Sequence, residues 1–353
     1  MRLVNNLYSI DVMTQNHRKL SKRSMLADVL PLKTPFTIHI DVSSACNFKC
    51  KFCFHSLEAH KLRKSGFNPT VMDFELFKTA VDKIKEFPDK LKRLCLIRHG
   101  EALLNKRLPD MIKYAKAQDI AEQINMSTNG SLLSPEMNIR LIEAGLDEIL
   151  ISVEALSKEK YKELCGVDLD FETFVDSIRH YYDHKGKCKL YIKTVDVGLE
   201  CGEEEKFYRI FDPICDNASI ENIVQCFRDV EYANIKDNYN VNIIGNTFRN
   251  IKVCPQPFFQ LHIYPNGNLS VCNADYSEKI VFGNVKTDSL VDIWHGREWM
   301  EFRLMHLRGE RFMHPYCKLC AGNVCYTSDS DILDDNADKL LEKFLDGKCE
   351  ALI

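Results

Sequence analysis

The sequence of 353 residues lacks long apolar segments and an export signal. No stretch reaches the roughly eighteen consecutive apolar residues that a membrane-spanning helix needs. The N-terminus contains Asn5, Asn6 and Asp11 and a basic run over residues 19–23, without the apolar core of a signal peptide. We therefore expect a cytoplasmic protein that contacts no membrane.

An excess of positive charge is also missing. The net charge is -4 at pH 7 and the isoelectric point is near 6.3, whereas a nucleic-acid-binding protein is expected to have a basic face. Nucleic acid is therefore not an expected partner. Apolar residues make up 45% of the chain, which is enough for one large core or for a large core and a smaller one.

Cysteine, by contrast, is abundant, with fifteen residues. An odd number in a protein without an export signal argues against a complete set of disulfides. Cys46, Cys50 and Cys53 follow an apolar run in one short segment. Three thiolates at this spacing can bind one iron-sulfur cluster and leave one iron without a protein ligand. The spacing differs from that of zinc ribbons and no histidine follows at finger spacing, so a zinc site and packed free thiols are the lesser alternatives.

From residue 36 onward, short segments typical of strands alternate with amphipathic segments typical of helices. We predict strands at residues 36–42, 93–98, 123–127, 148–153, 189–195 and 220–224. Helices are expected around residues 74–87, 108–116, 135–144, 171–182 and 203–214. These repeats predict an α/β fold with a parallel sheet, as a six-stranded partial barrel rather than a closed eight-stranded one. Chemistry in such barrels gathers at the carboxyl ends of the strands, where Cys46 is expected.

The triplet Cys46-x3-Cys50-x2-Cys53, with Phe52 directly before its last cysteine, resembles the signature of the radical S-adenosylmethionine (SAM) superfamily. The resemblance implies a partial (β/α)6 barrel and a [4Fe-4S] cluster, bound by three cysteines, whose open iron chelates SAM. It also implies reductive cleavage of SAM to a 5'-deoxyadenosyl radical, which abstracts hydrogen from an unactivated carbon. Flavodoxin or ferredoxin is the expected reductant.

Three further segments resemble parts of the SAM pocket in this superfamily; two follow a predicted strand and the third ends one. Gly100 and Glu101 lie where relatives have Gly-Gly-Glu-Pro, although this chain departs from that pattern at its first and last positions. Asn129 and Ser152 lie in the other two segments. An ordinary turn is the alternative, since glycine and asparagine are common turn residues. The resemblance therefore implies five cofactor-binding residues: Phe52, Gly100, Glu101, Asn129 and Ser152.

A second cysteine set begins beyond residue 230, where the alternating strand and helix pattern fades. Residues 260–272 alternate in polarity around Pro265, Asn266 and Gly267 and predict a β-hairpin. A helix is expected around residues 290–305. Four thiols, enough to saturate one [4Fe-4S] cluster or one zinc ion, surround these elements: Cys254, Cys272, Cys317 and Cys320.

The layout of these four cysteines resembles the auxiliary-cluster region called SPASM, and more closely its shortened form, Twitch. The resemblance implies an auxiliary [4Fe-4S] cluster, with zinc as the alternative occupant and with Cys325 and Cys349 as spare thiols that could also ligate it. We predict three parts of the chain: an N-terminal extension at residues 1–35, a radical SAM partial barrel at 36–230, and a small SPASM/Twitch-like domain of hairpin and helix at 231–353.

Hydrogen abstraction next to an electron-accepting cluster implies a net two-electron oxidation. Twitch-bearing relatives include an aminocyclitol dehydrogenase, so our first hypothesis is a radical SAM oxidoreductase that converts a secondary alcohol of a sugar or cyclitol to a ketone. The alternative is a peptide maturase that crosslinks or oxidises its substrate, although roughly 35 residues before the barrel are too few for a leader-binding domain. A metal-binding protein without chemistry is the third hypothesis.

The catalytic acid-base residues are less defined by the sequence. Arg98 and His99 are expected at the mouth of the barrel and His55 beside the triplet, and histidine titrates near neutrality. These three residues are the candidates, the alternative being that both histidines only pack the cluster loops. Lys193, on the fifth predicted strand, is expected to face either the barrel interior or the solvent at the end of its strand.

Overall fold

The computed structural model describes residues 24–232, 235, 241–243, 251–320 and 327–350. Three sequence predictions fall outside this part of the chain: residues 1–23 of the N-terminal extension, Cys325, and the side chain of Cys349. The described residues form a mostly parallel sheet with helices packed against it. The predicted α/β class is confirmed.

The sheet contains nine strands within the described residues. They are β1 (Thr37–Ile40), β2 (Arg93–Cys95), β3 (Ile124–Thr128), β4 (Glu148–Ser152), β5 (Lys189–Val195), β6 (Asn217–Glu221), β7 (Gln260–Ile263), β8 (Asn268–Ser270) and β9 (Gly283–Asn284). Their order is β6-β5-β4-β3-β2-β1-β7-β8-β9. Strands β1 to β6 pair in parallel, as a partial barrel requires, and β7 also pairs in parallel with β1. Strand β8 pairs antiparallel with β7 on one side and with β9 on the other.

Helices follow the strands and cover the sheet. They are α1 (Leu26–Val29), α2 (Ala59–Ser65), α3 (Phe74–Ile84), α4 (Leu108–Gln118), α5 (Pro135–Glu143), α6 (Lys158–Cys165), α7 (Phe171–His184), α8 (Glu204–Phe211), α9 (Gln256–Phe259), α10 (Leu290–His295), α11 (Arg297–Leu307) and α12 (Ala337–Glu350). No helix in the described ranges is long and apolar enough to cross a membrane.

Local signals explain several of these boundaries. The hydroxyl of Ser134 accepts a hydrogen bond from the main-chain N–H of Met137 (3.2 Å), and Pro135 opens α5 because its missing N–H costs nothing in the first turn. Asp73 caps α3 in the same way, through the N–H groups of Glu75 and Leu76. Each cap satisfies donors that have no partner inside the helix.

The C-terminal hairpin does not form a sheet of its own. Thr37 of β1 is in register with Gln260 of β7, and Ile40 with Ile263. Gly267 turns the chain between β7 and β8 with a φ of 94°, a conformation that favours glycine. The sheet therefore continues across residue 230, where we placed the domain boundary, and the division into domains stays a prediction.

Candidate functional site

The cysteine triplet lies in the loop after β1, at the carboxyl end of the parallel strands. Cys46, Cys50 and Cys53 all line one cavity of roughly 320 Å³. On the other side of the loop, the main-chain N–H groups of Lys49 and Lys51 each donate a 2.9 Å hydrogen bond to carbonyls at the end of α6. The loop is thus fixed to the barrel while its thiols face the cavity.

The electrostatics of these thiols favour a cationic partner. Burial raises the pKa of Cys46 to about 11 and that of Cys53 to about 12, and the carboxylate of Glu154 adds to both increases. Such thiols become thiolates by binding a metal cation rather than by losing a proton to neutral water. Three converging thiols in one cavity fit a [4Fe-4S] cluster with three protein ligands.

Glu101, a predicted cofactor-binding residue, accepts hydrogen bonds from two loops in this structure. One carboxylate oxygen accepts hydrogen bonds from the N–H of Leu103 (2.9 Å) and the hydroxyl of Thr128 (2.6 Å), and the other accepts one from the N–H of Asn129 (2.7 Å). Burial raises the pKa of Glu101, and these donors act in the opposite direction. The carboxylate thus joins the loops that follow β2 and β3.

Gly100 allows the loop after β2 to approach the triplet loop. Its φ is 107°, and a Cβ at this position would lie 2.6 Å from the carbonyl oxygen of Ala45. The next residue, Glu101, donates its main-chain N–H to that same oxygen (2.8 Å). Only glycine can adopt this backbone without collision. The role of Gly100 here is therefore close backbone packing beside Cys46.

Asn129 connects the loop after β3 to the triplet loop. Its side-chain amide donates to the Oδ1 of Asn47 (2.9 Å), and Asn47 in turn donates to the hydroxyl of Ser131 (2.9 Å). A hydrogen bond from Asn129 also acts to lower the pKa of Cys46. Asn129 therefore fixes the first cysteine, and it lines the same cavity as the triplet.

The remaining predicted cofactor-binding residues, Phe52 and Ser152, also line the cavity. Phe52 is half-buried and its carbonyl accepts a hydrogen bond from the hydroxyl of Tyr232 (2.9 Å). The structure thus brings all five predicted cofactor-binding residues to one cavity. Their contacts with SAM stay a prediction.

The three candidate acid-base residues differ in their surroundings. Arg98 is exposed and lines the cavity, whereas His99 is only 2% exposed and both its ring nitrogens are hydrogen bonded, to Asp41 and to the carbonyl of Asn273. His55 lines the cavity, and its buried Nε2 has no hydrogen-bond partner within the described part of the chain. Burial lowers the pKa of His55 to about 4.

A polar group that includes two residues our sequence analysis did not select, Glu154 and Glu221, lines the same cavity as the triplet. Lys193 faces the interior, as one of our two alternatives predicted, and its Nζ lies 2.8 Å from the carboxylate of Glu221. Burial raises the pKa of nearby Glu154 to about 7, with Lys193 lowering it and Glu221 raising it. These residues come from the ends of β4, β5 and β6, so only the fold brings them together.

The four auxiliary cysteines also converge. Cys254 precedes α9, Cys272 follows β8, and Cys317 and Cys320 bound a short 3-10 turn. Burial raises the pKa values of Cys254, Cys272 and Cys317, that of Cys317 to about 12. The charge of Cys320 raises all three pKa values further. Four thiols close enough to raise one another's pKa fit a saturated [4Fe-4S] cluster.

The two cysteine sites lie near each other. A second cavity of roughly 300 Å³ is bordered by Cys320, Arg228 and Tyr316. Cys226 and Phe227 line both this cavity and the one at the triplet. Only a short segment of chain therefore separates the cavity of the triplet from a cavity that one auxiliary cysteine, Cys320, borders.

Comparison with protein families agrees with this geometry. The family model described as the radical SAM superfamily matches residues 40–192, and the SPASM model, described as an iron-sulfur cluster-binding domain, matches residues 254–326. The chain is a radical SAM/SPASM enzyme. The first domain implies a [4Fe-4S] cluster and SAM, and the second implies auxiliary iron-sulfur binding.

Two curated relatives cover most of the radical SAM/SPASM chain. The S-adenosyl-L-methionine-dependent 2-deoxy-scyllo-inosamine dehydrogenase of Niallia circulans is 23% identical over 287 residues, covering 80% of this chain and 91% of that protein. The tungsten-containing aldehyde ferredoxin oxidoreductase cofactor-modifying protein of Pyrococcus furiosus is 24% identical over 326 residues, covering 80% and 86%.

Solved structures share the fold of this radical SAM/SPASM enzyme. BtrN in complex with AdoMet and 2-DOIA superposes with a TM-score of 0.53 at 21% identity, covering 81% of this chain and 92% of that one. SuiB of Streptococcus suis bound to S-adenosylmethionine gives a TM-score of 0.62 at 16% identity, covering 85% and 74%. The predicted partial barrel with a small C-terminal iron-sulfur domain is thus confirmed as the fold class.

Proposed function

We propose that this radical SAM/SPASM enzyme oxidises a secondary alcohol of a sugar or cyclitol to the ketone. The observation that carries the proposal is the polar group of Glu154, Lys193 and Glu221 in the cavity that holds the triplet. When bound, the cofactors supply abstraction of a carbon-bound hydrogen atom and an acceptor for the electron that remains. The protein must then remove the hydroxyl proton.

We assign the removal of this hydroxyl proton to Glu154. Its pKa, raised to about 7 by burial, makes it a base that is partly deprotonated at neutral pH. His55 is the weaker candidate because burial lowers its pKa to about 4, which makes its ring a poor proton acceptor. Arg98 stays a candidate for binding an anionic or hydroxylated substrate at the cavity mouth.

The charged pair Lys193 and Glu221 would orient the substrate. An ammonium group donates and a carboxylate accepts hydrogen bonds, so the pair can bind neighbouring hydroxyl groups of a ring. A substrate with several hydroxyls can hydrogen bond to both, whereas an apolar substrate would displace water from these partly exposed charged groups without replacing its hydrogen bonds. The polar lining therefore favours a hydroxylated substrate, and the cyclitol dehydrogenase among the relatives acts on a compound of that class.

Peptide maturation is the second candidate. The structural likeness to SuiB, which has also been solved bound to its precursor peptide with a TM-score of 0.60 to this chain, supports it. The present chain spans 69% of that protein and 92% of BtrN. For either substrate, we propose a flavodoxin or ferredoxin as the cytoplasmic reductant.

Isotope transfer distinguishes the two candidates. The anaerobically reconstituted enzyme is incubated with SAM, dithionite and either carbon-deuterated sugars and cyclitols or deuterated peptides. We expect deuterium in 5'-deoxyadenosine together with a ketone product from a hydroxylated ring. Transfer from peptides alone would replace the first proposal with the second, and no 5'-deoxyadenosine from a fully loaded enzyme would refute both.

A further inference from the structure

A buried polar cluster links the loops of the two cysteine sites. Asp41 follows β1, His99 follows β2 and His262 belongs to β7. Asp41 and His262 are fully buried and His99 is 2% exposed. The Oδ2 of Asp41 lies 3.0 Å from the Nδ1 of His99 and 3.0 Å from the Nε2 of His262. The cluster thus joins the partial barrel to the C-terminal hairpin, and His99 also lines the cavity of the triplet.

The hydrogen-bond partners determine where the protons are. The Nε2 of His99 lies 2.8 Å from the carbonyl oxygen of Asn273, which can only accept, so this nitrogen carries a hydrogen. The Nδ1 of the same ring faces a carboxylate, which also accepts when it is ionised. Both nitrogens of His99 therefore have hydrogen-bond partners, Asp41 on one side of the ring and Asn273 on the other.

Asp41 is ionised, and hydrogen-bond donors fill all of its acceptor positions. Burial alone would raise its pKa, but the charges and hydrogen bonds of His262 and His99 hold it below its usual range. Its Oδ1 also accepts the main-chain N–H groups of Arg98 and His99. A carboxylate offers about four acceptor positions, and four donors fill them. The cluster is thus a closed hydrogen-bond network and leaves no carboxylate lone pair for a metal ion.

The network spans the distance between the cysteine loops. At one end, Asp41 begins the loop that carries Cys46. At the other end, His99 donates to Asn273, the residue after Cys272. Gln260 supports the same residue by donating to its side-chain oxygen (2.8 Å). The main chain of the auxiliary loop is thereby hydrogen bonded to His99, which Asp41 of the triplet loop holds in place.

We propose that His99 is a positioning residue that fixes the Cys272 loop against the triplet loop, and that it is not the catalytic base. A ring with both nitrogens occupied cannot accept a substrate proton. Replacing it leaves the Asn273 carbonyl without this donor and Asp41 with His262 as its remaining histidine partner. The Cys272 loop then loses that hydrogen bond to the barrel, while the triplet loop keeps the main-chain hydrogen bonds of Lys49 and Lys51 to α6.

The test compares full-length His99→Ala and His99→Gln with His180→Ala as a control. His180 lies on α7, where its Nδ1 is 3.3 Å from the side-chain amide of Asn138, and within the described residues it contacts neither cysteine loop. In the metal-free proteins we expect faster hydrogen-deuterium exchange over residues 271–276 in His99→Ala, an intermediate rate in His99→Gln because its amide can still donate, and no change in the control.

The same variants are then reconstituted with iron. His99→Ala is expected to lose up to about half of its iron and the auxiliary-cluster signal in electron paramagnetic resonance, while SAM cleavage at the triplet persists. If His99→Ala does not fold, His99→Gln provides the comparison. Unchanged exchange and an unchanged auxiliary signal, with only substrate oxidation lost, would make His99 a catalytic residue and overturn the proposal. A stoichiometric non-cluster metal lost from both His99→Ala and His262→Ala would also overturn it.

Discussion

The two cysteine sites of this protein are built in opposite ways. The triplet is a local site, with three thiols in one loop between β1 and α2. The auxiliary site takes its four thiols from three segments between Cys254 and Cys320, which the β7-β8 hairpin and the turn at Cys317–Leu319 bring together. The local site needs one loop conformation, whereas the other needs the tertiary fold.

Their surroundings differ as well. The triplet leaves one coordination position of a four-iron cluster open and faces a cavity with Glu154 and Lys193, so there is room for other molecules. The auxiliary site supplies a full set of thiols, and Arg228 and Arg311 lie near enough to Cys317 to lower its pKa in part. The comparison indicates an open site that binds ligands and a closed site that does not.

Removing the triplet has the largest expected effect. The triple variant Cys46→Ala, Cys50→Ala and Cys53→Ala should form no 5'-deoxyadenosine from SAM and dithionite, because no open iron remains. Its iron content should fall from about eight to about four per chain. SAM cleavage by this variant would contradict the proposed difference between the two sites.

Removing one auxiliary cysteine should separate SAM cleavage from substrate oxidation. Cys317→Ala is expected to keep most of the SAM cleavage and to lose substrate oxidation, since only the auxiliary ligand set is damaged. Cys215→Ala, which removes a buried thiol remote from both sets, is the control and should retain both activities. Full substrate oxidation by Cys317→Ala would show that the auxiliary site has no part in the reaction.

Glu154→Gln tests the polar side of the open site. We expect substrate oxidation to fall by about 10²- to 10⁴-fold, the usual range for loss of a general base. In the unsubstituted enzyme, activity should decline below pH 7 as Glu154 takes up a proton from its pKa of about 7, and should level off above it. His55 as the base would put that decline near pH 4 instead, and a pH profile unchanged by Glu154→Gln would exclude our assignment.

A smaller effect tests how tightly the triplet loop is packed. Gly100→Ala and Gly145→Ala both place alanine at positive φ, which costs about 1–2 kcal/mol. Only at Gly100 does the new Cβ also collide with backbone, whereas the atoms nearest to Gly145 belong to the flexible side chain of Lys116 at 3.5 Å or more. Urea unfolding should show the larger loss for Gly100→Ala, along with weaker iron retention, and equal losses would contradict the close packing.

Much of the open site could be predicted from the sequence because its information is local. The triplet, Gly100 and Asn129 each follow a strand whose apolar run is clear, and the structure brings them to one cavity. The first five strands lie where the pattern placed them. The sixth is at Asn217–Glu221 rather than at 220–224, because this edge strand is only half-buried and its apolar signal is weak.

Other features depend on contacts between distant parts of the chain. The parallel pairing of β7 with β1 joins residues more than two hundred positions apart, and a hairpin pattern carries no information about such a partner. For the same reason, Glu154 and Glu221 were not selected, since they become one site only when β4 to β6 align. The predicted helix at residues 290–305 is two helices in the structure. The first ends just before Gly296 and the second begins just after it.

The contrast between an open and a closed site is tested most directly by electron paramagnetic resonance of the reduced, reconstituted protein with and without SAM. We predict two [4Fe-4S] signals, of which one changes when SAM is added. That signal should be absent from the triplet variant, and the remaining one should not respond to SAM. A remaining signal that does respond, or a triplet variant with both signals intact, would contradict the account.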